Sequence, residues 1–154
     1  MAKAFKELAI STSYTHVLLA TDLLQETRAV AEKAKQLSGL YHAKLTVMHV
    51  VESMPIYLGN EMMLPEMQVI ESQLLEQAKK KMKALCQSLA IAESDGHVEM
   101  RLTKYEIIET AKQNSVDLIV LGSHSHHGLE HFLGSTARAV VNAAPCDVLA
   151  VRFK

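Results

Sequence analysis

The stretch Asp117-Leu118-Ile119-Val120-Leu121-Gly122, followed by Gly134-Ser135, Pro145 and Val148-Leu149-Ala150-Val151, decides the fold of this chain. Its two apolar runs are typical of strands that are covered on both faces. The alanine-rich segment between them predicts a helix that begins near Ser135 and is closed by Pro145. A glycine after a parallel strand, followed by the unpaired N–H groups of a helix start, is typical of a site for a phosphate-bearing ligand.

Upstream, strands and helices alternate. The runs His16–Ala20 and Leu45–Val51 predict two buried strands, and the helix between them is predicted from about Thr27 to Leu37, with Gly39 placed to terminate it. Pro65 suits the first turn of a long amphipathic helix. Its apolar positions step by three or four residues: Met67, Ile70, Leu74, Ala78, Met82, Leu85 and Leu89.

A third strand is predicted from Val98 to Thr103, where apolar and polar residues alternate. Clean alternation implies one solvent-exposed face, so we expect this strand at an edge of the sheet. A shorter helix follows, and Asn114 is expected to take a left-handed turn after it. The repeated β-α order predicts a single-domain α/β protein with an open, parallel five-stranded, Rossmann-like sheet and helices on both faces. We assign residues 1–14 to an N-terminal arm and 15–154 to the domain.

Composition limits the function classes. The chain has 154 residues and a formal net charge of −1, which provides no electrostatic footprint for nucleic acid or for an anionic membrane. The run Lys79–Lys81 lies opposite the apolar stripe of its helix and is interpreted as a solvated face. Cys86 and Cys146 lack the spacing of a metal site or a redox motif, so we expect both to be reduced thiols. No apolar run is long enough to span a bilayer, and we expect a cytoplasmic protein.

The ordered set of motifs resembles the universal stress protein family over nearly the whole chain. The family's pieces correspond here to Thr21-Asp22, His49-Val50, Asp117–Gly122, Gly134-Ser135, Ala144-Pro145-Cys146 and Val148–Val151. The resemblance implies the strand order 3-2-1-4-5, a role in stress response, and homodimers that pair strand five (Val148–Val151) across a two-fold axis. The residues independently favour the last point, because a short apolar edge strand invites pairing.

The nucleotide-binding branch of the family carries the pattern Gly, two residues, Gly, nine residues, Gly-Ser/Thr. Gly122 and Gly134-Ser135 match its ends, but Ser125 stands at the second glycine and the following interval is one residue short. Some members with a shortened loop and no second glycine still hold adenine nucleotide, whereas others with a degraded loop do not. The resemblance implies ATP or AMP as ligand, with Mg²⁺ as a candidate companion. The implied binding residues are Ala20, Asp22, Val50, Leu121, Gly122, Ser125, Gly134, Ser135 and Thr136.

The roles implied for these residues are distinct. Ala20 and Val50 would flank the adenine, and Asp22 would accept hydrogen bonds from ribose or approach a phosphate-bound metal. Ser135 and Thr136 would donate to phosphate at the helix start. A simpler interpretation makes Asp22 a turn or cap residue and Ser135 an N-cap.

The sequence favours a binding or signalling module over an enzyme. No Walker lysine follows Gly134, and no GxGxxG follows strand one. We expect at most slow ATP hydrolysis, because no positioned general base can be named. The alternatives are a member that does not bind nucleotide and acts through its dimer surface and protein partners, and a true phosphohydrolase on the same fold.

Four histidines cluster in the loop before Gly134: His124, His126, His127 and His131. His127 and His131 are four residues apart and are candidate metal ligands if they share a helix face. The plainer interpretation is a set of exposed polar loop residues. His49, at the end of a buried strand, is interpreted as a hydrogen-bonded structural histidine.

Overall fold

The computed structural model describes residues 13–52, 64–123 and 133–152. Within these ranges strands and helices alternate along the chain. The elements are β1 (His16–Ala20), α1 (Arg28–Tyr41), β2 (Lys44–Glu52), α2 (Leu64–Leu89), β3 (Gly96–Arg101), α3 (Thr103–Gln113), β4 (Leu118–Gly122), α4 (Ser135–Ala143) and β5 (Asp147–Val151). The predicted α/β class is confirmed.

The strands form one parallel sheet in the order β3-β2-β1-β4-β5, as predicted. Val17 of β1 pairs with Leu45 on one side and with Leu118 on the other, which fixes the register of the central strand. The strand order therefore reverses between β1 and β4, where sheets of this type bind ligands. β3 lies at an edge, and its residues alternate between half-buried and exposed, as its sequence predicts.

Successive side chains of the central strands enter two separate cores. Val17, Leu19 and Val47 pack beneath α1 and α2, together with residues such as Val30 and Met82. On the opposite face, Leu18, Met48 and Ile119 pack with Ile107 of α3 and Val140 of α4. Burial on both faces explains why these strands are continuous apolar runs.

The predicted end of α1 is wrong. Gly39 lies inside the helix, and the left-handed residue is His42, with φ 54°. The N–H of Ala43 donates to Ser38 O at 2.8 Å and the N–H of His42 to Gly39 O at 3.3 Å, which is a Schellman closure. Continuing past Gly39 brings the ring of Tyr41 edge-on to Tyr14, with ring centroids 5.1 Å apart.

The left-handed turn after α3 is likewise displaced by one residue. Asn114 has φ −103°, and Ser115 takes φ 51° instead. The side-chain amide of Asn114 donates to Thr110 O at 2.9 Å, so Asn114 caps the last turn and the reversal passes to its neighbour.

The apolar stripe of α2 is buried along only part of the helix. Ala78, Met82 and Leu89 are buried, whereas Ile70 and Leu74 are exposed. Lys79–Lys81 are exposed, as predicted. None of the helices that the structure describes is long and apolar enough to cross a membrane.

Candidate functional site

A cavity of about 380 Å³ opens at the carboxyl ends of β1, β2 and β4. It lies at the predicted reversal of strand order, and the starts of α3 and α4 complete its wall. The described residues that line it are Ala20, Thr21, Asp22, Thr27, Val30, Met48, His49, Val50, Glu52, Thr103, Ile107, Leu121, Gly122, Gly134, Ser135, Thr136 and Ala137.

The structure brings together the predicted binding residues that it describes. Ala20 and Asp22 come from the end of β1, Val50 from β2, Leu121 and Gly122 from β4, and Gly134–Thr136 from the start of α4. Ser125 lies outside the described residues. The separate motifs of the sequence thus meet around one cavity.

Asp22 is a turn residue that also lines the cavity. Its Oδ1 accepts the N–H of Leu24 at 3.0 Å and the hydroxyl of Thr27 at 2.6 Å. The intervening Leu23 takes φ 60°, an uncommon conformation for a branched side chain. Its N–H donates to Thr21 Oγ1 at 3.1 Å. The carboxylate is therefore oriented by the protein's own backbone and side chains.

His49, within β2, is hydrogen-bonded to the residue that follows β1, as predicted for a structural histidine. Its Nδ1 lies 2.8 Å from Thr21 O, and a carbonyl can only accept, so Nδ1 carries the proton. The N–H of Thr21 in turn donates to Met48 O at 2.9 Å. These two contacts hold the chain in place directly before Asp22.

Gly134 is the N-cap of α4, so the interpretation of Ser135 as the N-cap is wrong. Gly134 has a non-helical backbone, with φ −56° and ψ 156°, and Ser135 is the first helical residue. The N–H of Arg138 donates to Gly134 O at 2.9 Å, which closes the first turn. The earlier N–H groups of the helix therefore lack intrahelical acceptors beside the cavity.

The start of α4 is tied directly to the end of β4. The N–H of Gly134 donates to Ser123 O at 2.9 Å, and the N–H of Ser123 donates to Val151 O at the same distance. These contacts bring Gly122 and Gly134 to one side of the cavity, although they are far apart in sequence.

Two carboxylates, of Asp22 and Glu52, face the cavity, and its described lining contains no lysine or arginine. Arg138 is exposed and outside that lining. Oε1 of Glu52 accepts the hydroxyl of Thr103 at 2.9 Å. Sequence reasoning missed this pair, although the period of β2 places Glu52 on the same face as Met48 and Val50.

The histidine loop lies outside the described residues, including the candidate metal ligands His127 and His131. Among residues 13–52, 64–123 and 133–152, no group of three or more His, Cys, Asp or Glu side chains could hold a metal ion. Both cysteines are free thiols. Burial, reinforced by nearby carboxylates, raises the pKa of Cys86 and of Cys146, so neither is an activated nucleophile.

The fold and the cavity define a doubly wound α/β protein with a cleft at its switch point. The chain belongs to the universal stress protein family, whose family model matches residues 13–152.

Individual proteins that are similar to this chain are universal stress proteins as well. Universal stress protein A homolog 2 of Coxiella burnetii is 41% identical over 143 residues, covering 92% of this chain and 97% of the relative. The structure of UspA from Lactobacillus plantarum is 26% identical, with a TM-score of 0.79, and the match covers 91% of this chain and 99% of that one. A universal stress protein in complex with cAMP shares the fold at 20% identity and a TM-score of 0.57, with 91% and 98% coverage.

Proposed function

We propose that this protein binds an adenine nucleotide in the cleft and acts as a homodimeric binding module in the cytoplasmic stress response. The observation that carries the proposal is the composition of the cavity. An apolar wall that includes Val50, Ile107 and Leu121 leads to the glycine-capped start of α4. A volume of about 380 Å³ lies within the usual range for small-molecule pockets.

The nucleotide would lie across the carboxyl ends of three strands. The base would pack against Val50 and Ile107, and the ribose hydroxyls would donate to Asp22. The phosphates would meet Gly122 and the first N–H groups of α4, where the helix dipole favours negative charge. The family member solved with cAMP supports a nucleotide as the class of ligand.

The charges around the cleft limit how phosphates can be held. Because the described lining has no lysine or arginine, phosphate binding would depend on backbone N–H groups and on a divalent cation. Mg²⁺ is commonly held by one or two carboxylates together with substrate phosphates, and Asp22 fits that role. The cation would supply the positive charge that the cavity wall lacks.

We expect binding without efficient turnover. The acid–base candidates on the described wall are Asp22, His49 and Glu52, and each is hydrogen-bonded to a neighbouring residue. A general base must instead reach the proton of an attacking water. Any ATP hydrolysis should therefore be slow.

The exposed edge of β5 supports the homodimer. β4 covers one side of β5, and in the described sheet the other side is an edge. Leu149 on this strand is 36% exposed and Val141 on the adjacent α4 is 48% exposed. Pairing of two β5 strands would bury this apolar surface and satisfy the edge hydrogen-bonding groups.

One observation favours the alternative of a stress protein that acts only through its dimer surface and protein partners. Two carboxylates and no lysine or arginine in the described lining make an unusual phosphate pocket. Equilibrium dialysis with labelled ATP and AMP, with and without Mg²⁺, separates the two functions. We expect the protein to retain the labelled adenylate. Mass spectrometry of natively purified protein should detect a co-purified adenine nucleotide. No retention at millimolar ligand would refute the nucleotide function.

A further inference from the structure

We propose that Glu52, held by Thr103, recognises the exocyclic amino group of the bound base, an inference that rests on the proposed nucleotide function. Such a role would make the cleft selective for an amino-bearing base such as adenine.

The pair lies at the β2 end of the cavity. Glu52 is the last residue of β2, and the alternation of the strand places it on the same face as the buried Met48 and Val50. Thr103 is the first residue of α3, one helical turn before Ile107, which also lines the cavity. A base packed against Val50 and Ile107 would therefore present its edge to Glu52.

The atoms offered by this pair are acceptors. The hydroxyl of Thr103 donates its only proton to Oε1 of Glu52 at 2.9 Å, so toward any further partner this hydroxyl can only accept. An ionised carboxylate accepts hydrogen bonds and donates none, and Oε2 lies outside the bond to Thr103. A ligand group that meets this surface must donate, as the amino group of adenine does and a bare ring carbon does not.

The opposite end of the cleft is suitable for phosphate. β2 and β4 lie on the two sides of β1, so about 9.5 Å separates the two strand axes. This span matches a nucleotide whose base lies at the β2 end and whose phosphate reaches α4. The first N–H groups of α4 lie beside β4, whereas the carboxylate of Glu52 stands at the end of β2, bonded to the first residue of α3.

The test compares AMP with purine riboside 5′-monophosphate, which differs only in lacking the amino group. For the wild-type protein, we expect AMP to bind about tenfold more tightly, because a hydrogen bond to a charged acceptor contributes more than a neutral one. In Glu52→Ala the preference should disappear, so that the two nucleotides bind with about equal affinity. Glu52→Gln should retain part of it, because the amide oxygen still accepts. Glu109→Gln removes an exposed carboxylate from α3 outside the cavity lining and should leave the preference unchanged.

Thr103 is a positioning residue in this account, and its test is rescue. Thr103→Val removes the hydroxyl that fixes Oε1 and should reduce the AMP preference to about threefold, whereas Thr103→Ser should restore it. Thermal melts establish that each variant is folded.

The outcomes distinguish the two proposals. If the wild-type protein retains neither nucleotide, the nucleotide function itself fails. If AMP binds and Glu52→Ala keeps the wild-type preference, recognition by Glu52 is refuted while the nucleotide function stands. Equal binding of AMP and purine riboside monophosphate to the wild-type protein would also overturn the inference.

Discussion

The hydroxyl of Thr27 donates a 2.6 Å hydrogen bond to Oδ1 of Asp22, five residues earlier in the chain. The same hydroxyl lies 2.8 Å from Leu24 O, so Thr27 closes the turn that leaves β1. Asp22 consequently enters the cavity with its carboxylate already oriented, and Thr27 is buried beneath it. A pre-oriented carboxylate reduces the entropic cost of holding a ligand hydroxyl.

Asp22→Ala should weaken adenylate binding roughly tenfold, because the ribose loses a charged hydrogen-bond acceptor or the bound cation loses a carboxylate ligand. The direction of the change is informative. Removing a carboxylate that makes no ligand contact would lower the negative charge near the phosphates and tighten binding instead. Calorimetric titration measures the affinity. Thr27→Val keeps the charge of Asp22 but removes the hydroxyl that orients it, and should weaken adenylate binding by only about threefold. Unchanged or tighter binding in folded Asp22→Ala would exclude Asp22 from the site.

Leu149→Glu should dissociate the proposed homodimer. A charge on the edge strand β5 would be buried without a partner in the paired state, which is costly. The matched control is Leu40→Glu, since Leu40 lies on α1 and is 71% exposed. Light scattering should give a monomer mass for Leu149→Glu and a dimer mass for Leu40→Glu. A dimer that survives Leu149→Glu would place the interface elsewhere.

Alanine at two glycines should change stability in opposite directions. Gly39 lies inside α1 with nothing within 4 Å of an added Cβ, so Gly39→Ala should raise the free energy of unfolding by about 0.5–1 kcal/mol. At Gly96 an added Cβ would lie 2.6 Å from Cys86 Sγ and 2.9 Å from Met82 Cγ. Gly96→Ala should therefore lower the free energy of unfolding by about 1–3 kcal/mol. Urea denaturation measures both, and a neutral Gly96→Ala would contradict the close packing of β3 on α2.

Asp117 should make a pH-dependent contribution to stability at the end of the sheet opposite the cleft. Burial disfavours its charge, but hydrogen bonds from the Thr15 hydroxyl and from the N–H groups of His16 and Thr15 outweigh burial and hold its pKa below the ordinary value. Because the folded pKa is depressed, the stabilisation is present above the unfolded pKa of about 3.9 and is lost as pH falls through the folded pKa.

We therefore expect Asp117→Asn to be less stable than the wild-type protein by about 1–3 kcal/mol near pH 7, with the difference shrinking below about pH 4. Urea denaturation at several pH values measures it. Glu109→Gln, an exposed change, provides the control. A difference that stays constant down to pH 2 would show that the hydrogen bonds, and not the charge, account for the loss.

Much of the fold could be predicted because the central strands are buried on both faces. Runs such as His16–Ala20 and Leu118–Gly122 have no polar alternation, which only a two-sided sheet explains. The alternation of β3 likewise identified an edge strand. The position of the cleft then followed from topology, since ligand sites of open parallel sheets lie where the strand order reverses.

The points that failed depend on contacts between distant residues. Glycine is a common residue at a helix end, but α1 continues for two residues past Gly39, and the second of them, Tyr41, contacts the ring of Tyr14. Ser135 has the residue type of an N-cap, but the hydrogen bond from Gly134 to Ser123 places the cap one residue earlier. The pairing of Glu52 with Thr103 joins residues that no local pattern connects.

The most direct test of the account is a calorimetric titration of ATP and AMP into the wild-type protein and Gly134→Val. Gly134 has φ −56°, which valine can adopt, so the change adds bulk at the start of α4 without requiring a forbidden backbone. We predict saturable binding to the wild-type protein, loss of at least tenfold in affinity in Gly134→Val, and an unchanged dimer mass. Equal affinity of the two proteins for the adenylate would contradict the assignment of the α4 start as the phosphate site.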